Sequence, residues 1–367
     1  MSKRKRILVG MSGGVDSSVA AALLAEQGYE VIGVTIKTYE YEEVGGNAEG
    51  DSSCCSLDGI NDAREVCAAL GIPHYVLDFS RRFKTEVIDM FVEEYLAGNT
   101  PNPCVICNRK IKWDELIRKG TQLDADFIAM GHYAKLLFND DRTRCWISRG
   151  KDRSKDQSYA LWNIAQENLR RTVFPLGNFN KGEVREHARR FGLKTADKKE
   201  SFEICFIADN NYQRFLREAV PGLREKVSGG EIIFDDKVIG RHDGYPFYTI
   251  GQRRGLSVAA GEPVYVTRIS KEDNRIFLGR ERDLQHTLFS VHSVNLMKFP
   301  EINADTKITA KIRYKDEGSP ATLLPQPDGK ICVRFDQPKR AITPGQSTVW
   351  YDGADVIGGG IIEAILE

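Results

Sequence analysis

A segment rich in glycine and serine near the start of the chain could hold a phosphate group. It reads Gly10-Met11-Ser12-Gly13-Gly14-Val15-Asp16-Ser17-Ser18 and follows a short apolar run. Glycines permit a tight turn, and backbone N–H groups at the start of a helix bind phosphate or pyrophosphate. The segment lacks the Gly-Lys-Ser/Thr sequence of a Walker loop, which indicates a different phosphate chemistry. A glycine turn with Asp16 as the helix cap is the alternative.

Two cysteines stand in contexts that could support sulfur chemistry. Cys107 follows Pro101 and Pro103 and precedes the amphipathic run 110–119. We expect the prolines to hold an extended loop, which would place Cys107 near a helix N-terminus and close to basic side chains. A thiol in such a place has a lowered pKa and is reactive. Cys205 lies in an apolar run, where a buried core cysteine is an equally good interpretation.

The remaining cysteines have no comparable context. Eight cysteines in 367 residues without an export signal do not indicate a disulfide framework. We therefore interpret five of them as structural: Cys54, Cys55, Cys67, Cys145 and Cys332.

Composition places the chain among ordinary globular proteins. Hydrophobic residues make up 41% and charged residues 28%. No apolar stretch approaches the roughly 20 residues of a membrane helix, so we expect a cytoplasmic protein that does not contact a membrane. The 52 basic and 52 acidic residues balance, and a nucleic-acid binder would need a local basic patch. The basic segment 142–155 is a candidate for it, and an ordinary solvated loop is the alternative.

Periodicity predicts an α/β domain followed by β-rich domains. Strands are predicted at 7–9, 30–36, 74–77 and 127–130, and helices at 17–27, 61–70 and 84–96. Alternating strands and helices indicate a doubly wound parallel sheet. Residues 39–53 are predicted to form a surface loop, either a lid or simply disordered. From about residue 206, short alternating runs predict a small middle domain and then a C-terminal β-barrel.

Several motifs in order carry a resemblance to a known family. Ser-Gly-Gly-x-Asp-Ser resembles the PP-loop of the ATP-pyrophosphatase superfamily, whose members transfer AMP to a substrate oxygen. Together with five further motifs and Thr343-Pro344-Gly345-Gln346, it makes the chain similar to the tRNA-specific 2-thiouridylase family over nearly its whole length. The five are Pro101-Asn102-Pro103 with Cys107-Asn108, Gly131-His132-Tyr133-Ala134, Lys155-Asp156-Gln157-Ser158-Tyr159, Ser201-Phe202-Glu203-Ile204-Cys205-Phe206, and Tyr248-Thr249-Ile250-Gly251-Gln252-Arg253-Arg254-Gly255-Leu256.

The resemblance implies domains and residue roles. Residues 1–205 would be the PP-loop catalytic domain, 206–285 a central tRNA-binding domain and 286–367 the β-barrel. Cys205 would carry a persulfide and Cys107 would be its nucleophilic partner. The implied ATP-binding residues are Gly10, Met11, Ser12, Gly13, Gly14, Val15, Asp16, Ser17, Ile36 and Gly131. The implied tRNA-binding residues are Asn102, Pro103 and Cys104 at the target base, and His132, Lys155, Asp156, Gln157, Arg313, Tyr314 and Gln346 elsewhere.

The implied reaction is the 2-thiolation of the wobble uridine (U34) of tRNA, with ATP and Mg²⁺ as cofactors. The enzyme would adenylate the C2 oxygen of uracil, releasing pyrophosphate, and sulfur would then displace AMP. The implied partners are tRNAs for Lys, Glu and Gln and a persulfide donor, either a cysteine desulfurase or a relay protein. Attack by the persulfide itself and attack by released hydrosulfide, with a Cys107–Cys205 disulfide formed, both remain open.

One position departs from the family pattern. Better-known members carry Asp where this chain has Cys104, which creates a Cys104-x-x-Cys107 sequence. With Cys205, these thiols could ligate a [4Fe–4S] cluster that has one open iron. A redox pair and a tolerated substitution are the alternatives; no other metal site is predicted.

Two rival functions also fit the loop. An amino-acid ligase of the same superfamily would not need Cys107 or Cys205. A tRNA-binding protein with a relic loop would bind tRNA but would show no tRNA-dependent release of AMP.

Overall fold

The computed structural model describes residues 4–39, 57–198, 204–207, 209–327 and 329–367. The predicted loop 39–53 and both Cys54 and Cys55 lie outside these ranges, except for Tyr39. The chain divides into two compact units. The first comprises Met1–Ile88, Pro103–Asn210 and Ala354–Ile357, and the second Asp89–Asn102, Asn211–Gly353 and Gly358–Glu367.

A parallel sheet forms the centre of the first unit. The strands that precede the middle domain are β1 (Arg6–Gly10), β2 (Glu30–Lys37), β3 (His74–Asp78), β4 (Phe127–Met130), β5 (Ala134–Phe138), β6 (Cys145–Arg149) and β7 (Thr172–Val173). Five of them pair in the order β3-β2-β1-β4-β7, and every pair is parallel. Residues 7–9 are completely buried, as expected for a strand covered on both faces. The four predicted strands are confirmed to within one residue at each end.

Helices and helical turns connect these strands. In chain order they are α1 (Val15–Glu26), α2 (Leu57–Ala69), α3 (Ser80–Phe83), α4 (Met90–Leu96), α5 (Pro103–Ile106), α6 (Leu116–Gln122), α7 (Gln166–Arg170) and α8 (Lys181–Arg190). Helix α1 is apolar over most of its surface because it packs against both the sheet and α8. The predicted helix 84–96 is present, but its first half, Lys84–Asp89, has π-helical hydrogen bonding.

The segment around Cys107 differs from the prediction. Pro103 does not hold an extended loop but begins α5, and the helical backbone continues through the π-helical segment Cys107–Glu115 into α6. Proline is well tolerated at the first helical position because its missing N–H would have no partner there. Cys104 is therefore in the first turn, and Cys107 lies one turn further in. The expectation that Cys107 is at the helix N-terminus was wrong.

The second unit is mostly antiparallel. After α9 (Tyr212–Ala219) and α10 (Leu223–Val227), four strands pair in the order β10-β11-β8-β9, where β8 is Gly230–Phe234, β9 Lys237–His242, β10 Tyr265–Ser270 and β11 Arg275–Gly279. The last six strands are β12 (Gln285–Leu296), β13 (Thr306–Lys311), β14 (Ser319–Pro325), β15 (Ile331–Arg340), β16 (Ser347–Asp352) and β17 (Asp355–Ile365). They pair in the order β12-β15-β14-β13-β16-β17, and β12 also pairs with β17, which closes a barrel. The predicted fold class is confirmed, while the boundaries at 205 and 285 stay predictions.

No helix within the described ranges is both long enough and apolar enough to cross a lipid bilayer.

Candidate nucleotide and thiol site

The loop between β1 and α1 is held in shape by its own serines. Ser17 Oγ accepts a hydrogen bond from the Ser12 N–H at 3.1 Å and donates to the Gly14 carbonyl at 3.1 Å. Ser18 Oγ donates to the same carbonyl at 2.8 Å. Gly14 is the N-cap of α1, and no side chain in the described part of the chain caps the helix. The first N–H groups of α1 have no intrahelical acceptor, so the loop presents donors suited to phosphate oxygens.

Two glycines allow the loop to pack tightly. Gly13 has φ +70°, and a Cβ on it would lie 2.2 Å from the Gly59 carbonyl oxygen. A Cβ on Gly131, directly after β4, would lie 2.7 Å from both the Asp16 carbonyl carbon and the Ser17 nitrogen. Glycine is therefore required at both positions. The structure thus brings Gly131 against the loop, as the sequence resemblance implied, and Ile36 lies near the carboxyl end of the neighbouring strand β2.

Asp16 does not cap the helix but binds two side chains from elsewhere in the unit. Its carboxylate accepts from the Tyr133 hydroxyl at 2.7 Å, and both of its oxygens lie 2.8 Å from Lys181 Nζ. Lys181 is the first residue of α8, whose start is fixed by a capping box between Asn180 and Glu183. The alternative interpretation of Asp16 as a simple cap is wrong.

Two lysines outside the motif supply positive charge to the loop. Besides Lys181 at Asp16, Lys198 Nζ donates to the Gly13 carbonyl at 3.1 Å and pairs with Asp62. A Walker loop carries its lysine within the motif; here the cations come from positions far along the chain. Sequence reasoning missed both, because nothing in the local sequence of either lysine indicates that it reaches the loop.

The helix that carries Cys107 is anchored to the segment containing the Lys155–Tyr159 motif. Asn108 is 3% exposed, and its Nδ2 donates to the Ala160 carbonyl at 2.9 Å. Arg109 donates to the Asn163 side-chain oxygen at 3.0 Å. Cys107 itself is buried, whereas Cys104 is exposed. The buried thiol is thus held on a firmly attached turn, and the exposed thiol lies on the turn before it.

Cys205 lies on the side of the sheet where the strands β1 and β2 end. Its carbonyl accepts from the Tyr39 hydroxyl at 3.1 Å, and Tyr39 is two residues beyond β2. The adjacent ring of Phe206 contacts that of Phe83 at 5.7 Å between centroids. The carboxyl ends of parallel strands meet at one edge, where α/β proteins bind their ligands. Cys205 and the loop after β1 therefore lie at the same edge; residues 201–203 of its motif are outside the described ranges.

The predicted cluster ligands Cys104, Cys107 and Cys205 all lie in the described part of the chain. Within that part, no three His, Cys, Asp or Glu side chains are arranged to hold a metal ion. The [4Fe–4S] cluster stays a prediction.

The cysteines interpreted as structural agree with their surroundings where these are described. Burial raises the pKa of the Cys67 thiol to about 11 and also raises that of Cys145, and Cys332 is buried. Thiols whose pKa is raised stay protonated and are poor nucleophiles. Cys332 is buried to the same degree as Cys107, so the structural role of Cys332 stays a prediction.

The tRNA-binding positions predicted in the first unit lie around the same site. His132 is buried, with its ring 5.4 Å from that of Trp113. Gln157 Oε1 accepts from the Tyr133 N–H at 3.0 Å, and the Asp156 carboxylate accepts from Ser158 Oγ at 2.8 Å. These side chains hold the segments around Tyr133 and Ser158. Their role in tRNA binding stays a prediction, as does that of half-buried Lys155.

The basic segment 142–155 is exposed at Arg142, Lys151 and Arg153, whereas Arg144, Arg149 and Lys155 are half-buried. The Arg142 guanidinium lies 4.1 Å from the centre of the Phe138 ring, and Lys151 pairs with Glu183 at 2.7 Å. Its role as a nucleic-acid patch remains a prediction.

Four predicted tRNA-binding residues belong to the second unit. Arg313 and Tyr314 are exposed in the turn after β13. Gln346 Nε2 donates to the carbonyls of Thr100 at 2.8 Å and Pro101 at 3.2 Å. Gln346 therefore holds the backbone directly before the fourth of these residues, Asn102.

The sheet, the Ser-Gly-Gly-x-Asp-Ser loop and the helix behind it define a nucleotide-binding protein of the PP-loop class. Family models match three consecutive parts of the chain: "tRNA methyl transferase HUP domain" at 5–209, "tRNA methyl transferase PRC-barrel domain" at 214–280 and "Aminomethyltransferase beta-barrel domain" at 286–362. The tRNA-specific 2-thiouridylase MnmA of Salinibacter ruber is 52% identical over 100% of this chain and 96% of its own. That of Cytophaga hutchinsonii is 50% identical over 99% of both chains. The chain belongs to the tRNA-specific 2-thiouridylase family.

Similarity to solved structures is more distant. A 4-thiouridine synthetase–RNA complex with bound ATP aligns with 59% of this chain and 51% of its own, at 18% identity and a TM-score of 0.38.

Replacement of Gly131 by alanine should disrupt nucleotide binding. The new methyl group would collide with the backbone at Asp16 and Ser17, and misplacing a site by an ångström costs on the order of 10²-fold in activity. We expect Gly131→Ala to weaken ATP binding in equilibrium titrations by about tenfold or more. Gly120→Ala is the matched control, because its nearest atom would lie at 3.7 Å, an ordinary contact. Equal ATP affinity in the two variants would show that Gly131 does not shape the site.

Proposed function

We propose that this protein catalyses the ATP-dependent 2-thiolation of the wobble uridine (U34) of tRNA. One observation carries the proposal: hydrogen bonds connect the nucleotide loop to the turn that holds Cys107. Asp16 binds the Tyr133 hydroxyl, the Tyr133 N–H binds Gln157, and the Gln157 carbonyl accepts from the Ala160 N–H at 3.0 Å. The side chain of Asn108, the residue after Cys107, donates a hydrogen bond to the Ala160 carbonyl and completes this series. A ligase or a passive binding protein has no need for a thiol at this place.

The nucleotide loop provides the chemistry of the first step. The C2 carbonyl of uracil is a poor electrophile, and its oxygen becomes a good leaving group once it carries AMP. The N-terminus of α1 and the ammonium groups of Lys181 and Lys198 would stabilise the negative charge that develops as the bond between the α- and β-phosphates breaks. Bound Mg²⁺ would neutralise part of the triphosphate charge, and the oxygen donors of Asp16 and the loop serines are of the type that it prefers.

The thiols provide the second step. With a persulfide on Cys205, its terminal sulfur attacks C2 and AMP departs; Cys107 thiolate then attacks the inner sulfur and leaves 2-thiouridine. In the other route, Cys107 attacks first and releases hydrosulfide, which displaces AMP. Both routes end in a Cys107–Cys205 disulfide, which an external thiol must reduce before the next turnover. The target base must leave the anticodon stack, which costs a few kcal/mol and less in a loop than in a duplex.

We further propose that the substrates are tRNAs for Lys, Glu and Gln, and that a cysteine desulfurase or a relay protein supplies the persulfide. Asn102, Pro103 and Cys104 are proposed to contact the target base. The support is their position in the chain directly before the turn of Cys107.

The function is tested by mass spectrometry of tRNA nucleosides after incubation with ATP, Mg²⁺ and a persulfide source. We expect 2-thiouridine with the wild-type protein and none with Cys107→Ser or Cys205→Ser, because serine cannot carry or accept sulfane sulfur. Cys332→Ser, far along the chain in β15, is the matched control and should retain activity. Release of AMP without any 2-thiouridine, unchanged in the two serine variants, would favour the ligase alternative, and tRNA binding without release of AMP would favour a relic loop.

Lys181 should act mainly on the adenylation step. Removal of one preorganised donor from the site of developing charge typically costs 10²–10³ in rate, so we expect Lys181→Gln to lower tRNA-dependent formation of AMP by about 10²-fold with a smaller change in KM for tRNA. Lys181→Arg should recover part of the rate because it restores the charge. The control is Lys151→Gln, which also removes an ammonium group near α8, but one that pairs with Glu183 and not with a residue of the nucleotide loop. An AMP rate in Lys181→Gln equal to that of the control would exclude this role.

Iron analysis tests the cluster alternative. Because no group in the described residues is arranged to hold a metal ion, we expect anaerobically reconstituted protein to hold no stoichiometric iron and to keep its activity after treatment with a chelator. Iron bound in stoichiometric amount, and lost in Cys104→Ala, would show that the thiols do assemble around a cluster.

A further inference from the structure

A motif in the second unit has no role in the reaction described above. It is the Tyr248–Leu256 segment, which forms the loop between the helical turn Tyr245–Phe247 and β10. It contains two consecutive arginines, Arg253 and Arg254, and both are exposed. Exposed arginines are common, so what matters is how the loop is built.

The backbone of this loop is fixed at both ends and in its middle. The Gly251 N–H donates to the Val266 carbonyl at 2.7 Å, and the Val266 N–H donates to the Gln252 carbonyl at 2.9 Å, which ties the loop to β10. The Gln252 side chain accepts from the Thr249 N–H at 3.1 Å and donates to the Arg254 carbonyl at 2.9 Å. Leu256, directly after the arginine pair and Gly255, is 5% exposed. The arginines are therefore presented from a preorganised backbone.

A third arginine and an aromatic ring border the loop. A Cβ on Gly251, which has φ +84°, would lie 3.0 Å from Ala341 Cβ and 3.8 Å from an Arg340 guanidinium nitrogen. The Arg340 guanidinium also lies 5.1 Å from the centre of the Tyr265 ring. Glu281 is paired with Arg340, so the negative charge of Glu281 is already neutralised. Beside the loop is an open depression of about 360 Å³, lined by Arg253, Ser257, Glu262 and several apolar residues. Glu262 is paired with Arg280 at 2.8 Å.

The residue before Arg340 connects this loop to the predicted tRNA-binding turn at Arg313 and Tyr314. Lys339 Nζ lies 2.7 Å from the Asp316 carboxylate. The same carboxylate accepts from the N–H groups of Ile312 at 3.1 Å and Gly318 at 3.0 Å, which bracket the turn. Burial alone would raise the pKa of Asp316, but the Lys339 ammonium and the two N–H groups outweigh it and lower the pKa. The carboxylate is thus held in its charged form.

Two basic loops of the second unit are therefore held by neighbouring residues of one strand, whose α-carbons are about 3.8 Å apart. Arg340 lies against the loop of Arg253, and Lys339 fixes the turn of Arg313. Guanidinium groups bind phosphate oxygens through two parallel hydrogen bonds, and contacts to phosphates position a nucleic acid without reading its sequence.

We propose that Arg253 and Arg254 bind backbone phosphates of the tRNA, next to the stretch of tRNA that contacts Arg313 and Tyr314. The proposal rests on the proposed function for the identity of the RNA. The loop would act as a second, sequence-independent contact that sets the orientation of the tRNA while the first unit acts on the base.

The test is the affinity of unmodified tRNA for Arg253→Gln/Arg254→Gln, measured by filter binding over a range of salt concentrations. Each lost phosphate contact should reduce the slope of log Kd against log salt by about 1, so the double variant should show a slope lower by up to about 2. We expect an affinity about tenfold or more below wild type at low salt. Arg253→Lys/Arg254→Lys keeps the charges and should bind close to wild type.

The matched control is Arg224→Gln/Lys226→Gln, which removes two exposed charges from α10 in the same unit. It should leave both the affinity and the salt slope unchanged. An unchanged slope and affinity in the Arg253/Arg254 variant, with thiolation by the wild-type protein intact, would overturn this inference and leave the proposed function standing. If the Arg253/Arg254 variant binds tRNA normally but its Cys205 is loaded with persulfide more slowly, the inference is also overturned. The two arginines would then bind an acidic donor protein instead of tRNA. Failure of the wild-type protein to bind tRNA at all would instead refute the proposed function.

Discussion

The organisation of the first unit depends on the carboxylate of Asp16. It accepts hydrogen bonds from Tyr133 and Lys181, which are 117 and 165 residues away in the chain. A partly buried carboxylate needs such partners because losing its hydration is costly, and the first turn of α1 favours its negative charge. One side chain thus joins the nucleotide loop, the segment after β4 and the start of α8.

This arrangement explains how a phosphate loop without its own lysine can function. In a Walker loop the cation and the backbone donors belong to one short motif. Here the backbone donors come from the loop, whereas the charges of Lys181 and Lys198 come from α8 and from the segment after it. Tertiary packing must therefore be complete before these ammonium groups reach the loop, and the site forms as a consequence of folding rather than from local sequence.

The sequence was sufficient for the parts of the fold that repeat a simple pattern. Buried parallel strands give continuous apolar runs and barrel strands alternate, so both could be predicted from periodicity. Pro103 could not be interpreted correctly, because proline disfavours a helix interior but is well suited to its first position. The choice between the two depends on anchoring contacts, such as that of Asn108 with Ala160, which join residues 52 apart. The lysines at the loop were missed for the same reason.

Both thiols are tethered to the nucleotide loop by independent routes. Cys107 is connected through Asn108, Gln157 and Tyr133, each by a hydrogen bond within 3.1 Å. Lys198 donates a hydrogen bond to the Gly13 carbonyl of the loop. Cys205 comes seven positions after Lys198 in the sequence, and seven residues can span at most about 25 Å. Tyr39 holds the Cys205 carbonyl at the edge where the loop also lies. A change in the loop that releases Tyr133 would therefore break the series of hydrogen bonds that ends at the turn of Cys107.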